Sequence, residues 1–534
     1  MGSRFFARLK EEFAGYNKAA LGADAVAGMT VVAVSLPLAL AFGVSSGGDA
    51  AAGLISAILA GLIISGLSGA SYQIAGPTGT MMAILTVVAA RHTVQGVFIV
   101  TLLAGAVLLL AGLLQFGKLI SLIPLPVVCG FTSGIALMII LGQVDAFFGV
   151  SSEGATVLQK LVSYFRNGFS PDSHALLIGV FVLVVMVFWP KKWNRHVPSS
   201  LAAIVLATAL SAVLGLDGAK VGAIPRTLLP AARLDLAAIE WGTVLQTYLS
   251  PALSCAALIA VESLLCGASA SRMKNESFDP DQQLVAQGVG NLIIPFFGGV
   301  PAASALARTS VAIRSGGRTR MTGIFSAFGL IGVLFLLGDL MAEVPLAALA
   351  GVLVVSAARM NDWENIRYIF RKRFKAAITA YLLTMVCTIV FDLNVAILSG
   401  VAFAAVVFVY RQTRLHVTIT EFDSEDDKLD ATVVTIDGVL FFANVETLKR
   451  ELAGVNMCER LVIAMRGVPS IDLGGAQALN ELLDFYQERG TAVSICGAQR
   501  HVHDMLMRTD TLDLLPDARF FNTVDQALTV RVGV

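Results

Sequence analysis

Glu262 has a type and surroundings that indicate a functional role. It is the only acid in the apolar stretch PALSCAALIAVESLLCGAS, residues 251–269. A charged group at the centre of a membrane costs about 2.5–3.5 kcal/mol on insertion scales, so such a residue is by default a functional candidate. Its carboxyl group could carry a proton or bind a cation. The alternative is a structural acid whose charge a partner neutralises near the helix end.

Two sites where glycine and proline interrupt apolar sequence are the next candidates. In QIAGPTGT, residues 73–80, Gly76 and Pro77 can end an extended piece and start a helix, because proline suits the first helical position. The resulting half-span helix would be PTGTMMAILTVVAA. The second site, FFGGVPAASALARTSVAIRSGG, is broken at Gly299 and Pro301. Its short helix is predicted to begin with the small residues Ala302, Ala303 and Ser304.

Paired breaks of this kind favour an anion site between two half-helices. A lone Gly-Pro is usually a kink, but two interrupted segments in corresponding halves are typical of a transporter's binding site. Each helix start offers unpaired N–H groups and about half a positive charge, and two facing starts can bind an anion without a formal cation. Arg308, about two turns into the second half-helix, adds positive potential or pairs with an acid. The predicted substrate-binding residues are Thr78, Gly79, Ala303, Ser304, Ala305, Leu306 and Arg308.

The elements that must position these residues are membrane spans. The chain has 534 residues, of which 56% are hydrophobic and 14% are charged, and its mean hydropathy is +0.77. This composition excludes a soluble multidomain enzyme. Uncharged runs of about 20 residues, the length of a spanning helix, recur and predict roughly a dozen to fourteen membrane segments. Basic and acidic residues number 38 each, so no charge excess indicates nucleic-acid binding.

Three regions are predicted along the chain. Residues 1–20 form a cytosolic N-terminal segment without a signal-peptide pattern, and residues 21–411 form the transmembrane domain. Residues 415–534 form a soluble α/β domain, in which helical patterns separate the strands HVTIT, ATVVTI with VLFF, RLVIAM and AVSICG. Basic connectors such as RSGGRTR and RYIFRKRFK share one side if the span count is even. Both termini are therefore predicted to be cytoplasmic, in a multi-pass protein of the cell membrane.

Several motifs, in order along almost the whole chain, resemble the SulP family of anion transporters, the sulfate permeases and their relatives. GPTGT resembles the third-helix motif of that family, and GGVPAASALARTSVAIRSGGRTRMTG resembles its tenth-helix signature, with Arg308 at the basic position. AGMTVVAVSLPLALAFGVSSG resembles the first helix, and PVVCGFTSGIALMIILGQ resembles the fifth. VLFFANVETLKREL and SIDLGGAQAL resemble the STAS domain that these transporters carry.

The resemblance implies a fold and an assembly. The fold is a polytopic α-helical membrane protein of two inverted repeats, about seven helices each, arranged as in the uracil permease. A core domain that holds the third and tenth half-helices moves against a gate domain, the STAS domain lies in the cytoplasm, and homodimers are usual. Phosphorylated STAS proteins carry Ser or Thr where this chain has Leu473 and Gly474, so phosphorylation at that loop is not expected.

The resemblance also bears on the coupling ion. The family places an acid at the position of Glu262, and its sodium-coupled bicarbonate branch has Asp there with Thr four residues later. This chain has Cys266 in the second place, and a thiol is a poor ligand for a hard cation. A proton at Glu262 is therefore predicted, with no metal site. Leu38 after Pro37, where the family often has Gln, points instead to the bicarbonate branch.

The predicted function is secondary active transport of a small anion by alternating access, with proton coupling or exchange. The anion is bicarbonate, sulfate or a related oxyanion or carboxylate. No enzyme activity, cofactor or nucleic-acid partner is predicted, and the expected partners are the anion, a proton or sodium ion, the lipid bilayer and a second copy of the chain. The alternatives are a sodium-coupled bicarbonate symporter, a dicarboxylate or nucleobase permease of the same fold, and a membrane-anchored STAS regulatory protein.

Overall fold

Helices account for the long N-terminal part of the chain, and a mixed β-sheet forms the C-terminal part. The computed structural model describes residues 2–117, 124–153, 157–190, 193, 197–216, 218–239, 241–391, 393–424, 429–456, 458–509, 511–515 and 519–529. The chain divides into two units, Met1–Val401 and Ala402–Val534. Helix α19 (Leu393–Gln412) runs through the boundary.

Apolar helices make up the N-terminal unit. Five described helical segments are long and apolar enough to cross a membrane, and six further apolar helices have 10–17 residues. The helices before α19 are α1 (Gly2–Glu12), α2 (Lys18–Ser45), α3 (Ala50–Leu59), α4 (Ser65–Leu67), α5 (Met82–Leu113), α6 (Leu125–Gly142), α7 (Val144–Phe148), α8 (Val157–Asn167), α9 (Ser173–Phe188), α10 (Ser199–Leu214), α11 (Trp241–Lys274), α12 (Pro280–Ile293), α13 (Leu306–Arg314), α14 (Met321–Leu336), α15 (Gly338–Ala342), α16 (Leu346–Met360), α17 (Trp363–Arg371) and α18 (Lys375–Val390). The predicted polytopic α-helical membrane fold is confirmed.

The order of elements repeats between the two halves of this unit. In the first half α2 and α3 are followed by a three-residue strand, β1 (Ala75–Pro77), and by the start of α5. In the second half α11 and α12 are followed by β2 (Ala302–Ser304) and by α13. The two strands pair antiparallel, as expected for repeats of opposite orientation.

Two groups of helices pack within the unit. The core group contains α2, α3, α5 and α11 to α14, with α5 along α11 and α12 and with α2 along α3 and α14. The gate group contains α6, α9, α10, α16 and α18, with α16 against α6, α9 and α10. Small residues allow close approach between membrane helices. A Cβ on Gly105 of α5, for example, would lie 2.6 Å from the backbone nitrogen of Leu292 on α12.

Buried acids tie the N-terminal helices to the basic connector 315–320. The fully buried carboxylate of Asp24 accepts hydrogen bonds from the backbone N–H groups of Arg318 and Thr319 at 2.6 and 3.1 Å. Arg320 forms a buried ion pair with Glu12, whose Oε2 lies 2.7 Å from Nη2. Charge-assisted bonds of this kind are the strong ones, so they hold the start of α14 in place.

The C-terminal unit is a five-stranded sheet in the order β3-β4-β5-β6-β7. Its strands are β3 (His416–Ser424), β4 (Leu429–Asp437), β5 (Arg460–Gly467), β6 (Ala492–Cys496) and β7 (Phe520–Phe521), and its helices are α20 (Val445–Leu452), α21 (Leu473–Gln487), α22 (Arg500–Leu506), α23 (Thr511–Leu514) and α24 (Val524–Thr529). The β3/β4 pair is antiparallel, whereas β4 to β7 run parallel and need crossover helices. The predicted α/β domain is confirmed.

Three details of the predicted secondary structure are wrong. Ala302, Ala303 and Ser304 form a strand and not the first turn of a helix, because their backbone groups pair with β1. The helix consequently starts at Leu306, and Arg308 lies in its first turn instead of two turns along it. VLFF is not a strand: Leu440 makes only an isolated bridge to Ile471, and a tight turn begins at Phe442.

Candidate functional site

The site is built around the short ribbon of β1 and β2. Ala75 pairs with Ser304, Gly76 with Ala303, and Pro77 with Ala302, and all six residues are buried. Extended backbone inside a membrane must satisfy its polar groups within the protein. Here the two strands pair with each other, and side chains bond further groups, such as the N–H of Ala75, which donates to the hydroxyl of Ser65 at 3.3 Å.

Each strand leads directly into a helix start that has no capping side chain. Thr78 precedes the tight turn Gly79–Met81 that opens α5, and Ala305 precedes α13; neither makes a side-chain capping bond. Elsewhere Asp49 caps α3, its Oδ1 accepting from the N–H of Ala52 at 2.7 Å. The first N–H groups of a helix have no partner within it, so both starts present free donors and a positive dipole end.

The helix that follows β1 is a half-span, as the sequence predicts. His92 and Thr93 have non-helical backbone angles, with φ of Thr93 at 59°, so α5 consists of two helices joined at this break. The predicted helix PTGTMMAILTVVAA ends at Ala90, close to the break. Its start differs, because Pro77 belongs to β1 and the first helical turn begins at Gly79.

Arg308 brings a buried guanidinium to the ribbon. Its side chain is 1% exposed, and Nη2 donates to the carbonyl oxygen of Pro77. Nε and Nη1 have no hydrogen-bond partner among the described residues. A Cβ on Gly76 would collide with Nη1, so any side chain there would force the guanidinium to shift. Buried polar groups are normally satisfied, so these two donors lack the partner that such groups usually have.

The carboxyl group of Glu262 contacts the helix start that follows β1, and three oxygen atoms form a triangle there. Its Oε2 accepts from the hydroxyl of Thr78 at 2.9 Å and from that of Thr80 at 2.6 Å. The two threonine oxygens lie 2.8 Å from each other. The carboxyl group and Arg308 thus flank one short piece of chain, because Arg308 contacts Pro77 and Glu262 contacts the next residue.

Cys266 lies one turn after Glu262 but turns towards the ribbon. The thiol is 2% exposed, and its Sγ lies 3.4 Å from the hydroxyl oxygen of Thr309. That oxygen accepts the N–H of Ile74 at 3.1 Å. Among the described residues no cluster of three His, Cys, Asp or Glu side chains could hold a metal. A cation among the oxygens of Glu262, Thr78 and Thr80 would have to push them apart.

A row of buried amides on α12 holds β2 from behind. Asn291 donates to the carbonyl oxygen of Ala302 at 2.9 Å and accepts its N–H at 2.8 Å. The amides of Gln283 and Gln287 each lie 3.0 Å from the hydroxyl oxygen of Ser304. All three amide residues are fully buried. Their spacing of four residues places them on one helix face, a signal that was readable from the sequence.

Some of the predicted residues meet around the ribbon, and others do not. Thr78, Arg308 and Glu262 meet around the ribbon, and Leu306 and neighbouring Ala307 are exposed at the start of α13. Ser304 instead turns its hydroxyl to α12 and donates its N–H to Ser263 at 3.1 Å.

Thr80 is not among the residues predicted from the sequence, although it stands two residues after Thr78 in GPTGT. Gly79 packs against both helix groups: a Cβ there would lie 2.6 Å from Ile139 and 2.9 Å from Phe42. The start of α5 therefore lies where the core group meets the gate helix α6.

Known families match most of the chain. The model of the Sulfate permease family matches residues 21–384, and that of the STAS domain matches residues 424–527. The Putative sulfate transporter YvdB of Bacillus subtilis is 29% identical over 543 residues, covering 97% of this chain and 99% of that protein. The Bicarbonate transporter BicA of Picosynechococcus sp. is 28% identical, covering 95% of this chain and 94% of its own.

Solved structures of anion transporters are also similar to this chain. The murine Solute Carrier 26 family member A9 anion transporter, in the inward-facing state, has a TM-score of 0.83 at 17% identity, covering 96% of this chain and 91% of that one. At that identity the likeness shows the fold alone. The transmembrane domain of a cyanobacterial BicA has a TM-score of 0.65 at 29% identity, covering 72% of this chain and 98% of that one.

Proposed function

This chain belongs to the sulfate permease family of anion transporters, and from that membership we propose that it carries a small oxyanion across the membrane together with a proton. Bicarbonate and sulfate are the first candidates, because similar proteins are named as transporters of one or the other. The observation that carries the proposal is the buried guanidinium of Arg308, which has two donors without a partner among the described residues.

The anion is proposed to bind between the two helix starts. The uncapped N–H groups that follow Thr78 and Ala305 supply donors from both sides of the ribbon, and Nε and Nη1 of Arg308 add two more. An oxyanion accepts several hydrogen bonds in different directions, which suits donors from three sources. The anion is proposed to enter from the side of Leu306 and Ala307, which are exposed.

Counting hydrogens supports a proton as the coupling ion. The triangle of Glu262, Thr78 and Thr80 has three short oxygen contacts of 2.6, 2.8 and 2.9 Å. Two hydroxyls supply only two hydrogens, so an ionised carboxylate leaves one contact without any. A protonated Oε2 supplies the third hydrogen: it then donates to one threonine hydroxyl instead of accepting from it, accepts from the other, and leaves one hydrogen for the contact between the two threonines.

The charge of the site supports the same conclusion. With Glu262 ionised, its negative charge cancels that of Arg308 and the site is neutral apart from the helix dipoles. With Glu262 protonated, the guanidinium charge is left for the anion. Opposite charges attract strongly at short range in a poorly screened interior, so proton and anion binding favour each other.

Alternating access, the dimer and the orientation belong to the same proposal. The core group, which carries the ribbon, is proposed to move against the gate group as a body. The protein is proposed to form a homodimer in the cell membrane with both termini in the cytoplasm. Cysteine labelling from either side at the connector 315–320 tests the orientation, and mass measurement in lipid discs tests the dimer.

Uptake into vesicles tests the proposed transport. Purified protein is reconstituted, and labelled sulfate, bicarbonate and a dicarboxylate are offered with an inward pH gradient or with an inward sodium gradient at constant ionic strength. We expect one oxyanion to accumulate with the pH gradient and to ignore sodium. Accumulation that needs sodium and ignores pH would replace this proposal with a sodium-coupled bicarbonate symporter. Correctly folded protein that moves none of the anions would contradict it.

A further inference from the structure

An apolar cavity of about 300 Å³ lies between α10 and the linker that joins α14 to α16. One wall is formed by α10 and the other by α15 and the residues after it. The residues that define the walls are Ile204, Thr208, Ala212, Leu340, Met341 and Val344. None of them belongs to the ribbon site, so the cavity is a separate feature with chemistry of its own.

The surface around the cavity is exposed and apolar. Val205 and Val213 of α10 are 53% and 83% exposed, and Leu336 and Leu340 beside the linker are 79% and 54% exposed. Contiguous exposed apolar surface on a protein marks contact with a membrane or with another protein. In a helical membrane protein this face meets lipid chains.

An ion pair stands at the polar end of the cavity. Nζ of Lys220 lies 2.6 Å from Oε2 of Glu343, and the two side chains are 44% and 60% exposed. The ammonium has three donors and the carboxylate has two oxygens, so each can bind a further group without breaking the pair. Backbone bonds fix the pair, since Val221 donates to Val344 at 2.9 Å and Leu346 donates to Ala219 at 2.8 Å.

A buried hydroxyl in the wall lacks a partner. Oγ1 of Thr208 is inaccessible and makes no hydrogen bond to any described residue. A helical threonine can satisfy its hydroxyl on the carbonyl four residues earlier, and in α10 this one does not. A free donor in an otherwise apolar wall calls for an acceptor on whatever fills the space.

We propose that this cavity binds one phospholipid whose headgroup carries both a phosphate and a primary ammonium group. From Ile204 to Ala212 the wall of α10 is about 12 Å long, which accommodates part of an acyl chain. The phosphate lies against Lys220 and the ammonium against Glu343, while Thr208, once its side chain rotates towards the lipid, donates its hydroxyl to an ester carbonyl. An anionic headgroup without an ammonium would leave Glu343 facing a like charge. This inference is independent of the proposed transport function.

Native mass spectrometry of the full-length protein tests the binding. The protein is exposed in mild detergent to equal amounts of phosphatidylethanolamine and phosphatidylglycerol, and retained lipid is identified. We expect phosphatidylethanolamine to be retained about tenfold more than phosphatidylglycerol. Ala209→Trp, which fills the cavity, should remove this preference, whereas Val180→Trp on the exposed face of α9 should keep it. Equal retention of the two lipids, no retention, or an unchanged Ala209→Trp variant would overturn the proposal.

Charge variants test the headgroup separately from the cavity. Lys220→Gln with Glu343→Gln should abolish the preference for phosphatidylethanolamine. The exchange Lys220→Glu with Glu343→Lys should keep this preference, because a zwitterionic headgroup can bind in the reversed orientation. Loss of the preference in the exchanged protein, or its survival in the neutral one, would show that these charges do not recognise the headgroup.

A second copy of the chain is the other occupant that the experiment must exclude. The six cysteines are buried, so an added surface cysteine reports on its own contacts. Val205→Cys should give no disulfide-linked dimer under oxidation, matching the control Val180→Cys. A dimer formed by Val205→Cys alone would assign this face to a protein interface and overturn the lipid site.

Discussion

The two helix starts that meet at the ribbon occupy corresponding places in the two halves but carry different chemistry. The start after β1 offers the hydroxyls of Thr78 and Thr80, and these bind Glu262 of α11. The start after β2 carries Arg308 in its first turn. One side therefore holds a fixed positive charge, while the other holds a group that can gain or lose a proton.

The two sides also differ in how firmly the protein holds them. The amides of Gln283, Gln287 and Asn291 on α12 fix β2 along its length. No such row contacts β1 among the described residues, and β1 is held by β2 and by single contacts, such as the hydroxyl of Ser65 at 3.3 Å from the N–H of Ala75. We therefore expect the β2 side to be the more rigid of the two and the β1 side to adapt more easily when Glu262 gains or loses a proton.

Removal of the fixed charge should have the largest effect. Arg308→Gln takes away the guanidinium, and losing one buried charged partner costs enough to weaken anion binding about a hundredfold. Uptake into vesicles and anion binding by calorimetry measure the loss. Arg314→Gln, at the exposed end of the same helix, is the matched control and should behave as the unaltered protein. Equal activity of the two variants would remove Arg308 from the anion site.

Removal of the titratable group should abolish coupling while sparing binding. Glu262→Gln keeps a neutral side chain that resembles the protonated acid, so the anion still meets the charge of Arg308. We expect pH-gradient-driven accumulation to disappear and equilibrium binding to become independent of pH. In the unaltered protein binding should weaken as pH rises, because deprotonation restores the negative charge. Accumulation by Glu262→Gln in response to the pH gradient would place the proton elsewhere.

A single added methyl group should disturb the fixed side indirectly. Gly76→Ala places a Cβ against Nη1 of Arg308 and displaces the guanidinium, so anion binding should weaken about tenfold. Gly66→Ala is the control, because a Cβ there meets nothing within 4 Å. Thermal unfolding in detergent shows whether either variant is misfolded. Unchanged binding by a stable Gly76→Ala protein would mean that the guanidinium position is not critical.

Two hydroxyl deletions should separate the adaptable side from the rigid one. Thr80→Val removes one contact of Glu262 and should shift the pH profile of binding with little change in stability. Ser304→Ala leaves Gln283 and Gln287 without their shared partner and should cost about 1 kcal/mol of stability, while the pH profile stays in place. Anion binding across a pH series and denaturation measure both. If Ser304→Ala shifted the pH profile and Thr80→Val lost stability instead, the assignment of the two sides would be reversed.

Loss of the C-terminal unit should have the smallest effect on the site. A chain that ends after about Arg414 keeps every residue of the ribbon, and domains with separate cores usually fold independently. Anion binding should remain within about twofold of the complete protein, although assembly or turnover can suffer. Complete loss of binding in a well-folded truncated protein would show that the STAS domain contributes to the site.

Local signals in the sequence predict where the chain breaks but not how the candidate residues are arranged around the breaks. Gly76, Pro77, Gly299 and Pro301 predict where helices stop, since glycine and proline act on their own backbone. Glu262 stands out because an acid in an apolar run is costly wherever the run folds. Ala302 to Ser304 were expected in a helix, and only pairing with a strand far away in the sequence makes them extended.

From the sequence it follows that the chain crosses a membrane many times, ends in an α/β domain and carries two interrupted helices and an acid, Glu262, in an apolar run. These properties follow from composition, periodicity and residues that act locally. Only the folded chain places Arg308 in a first helical turn, with two donors that no described residue accepts, brings Thr80 beside Thr78 on Glu262, and turns Ser304 to α12. Each depends on which distant segments meet, because a hydrogen bond needs both partners within about 3 Å.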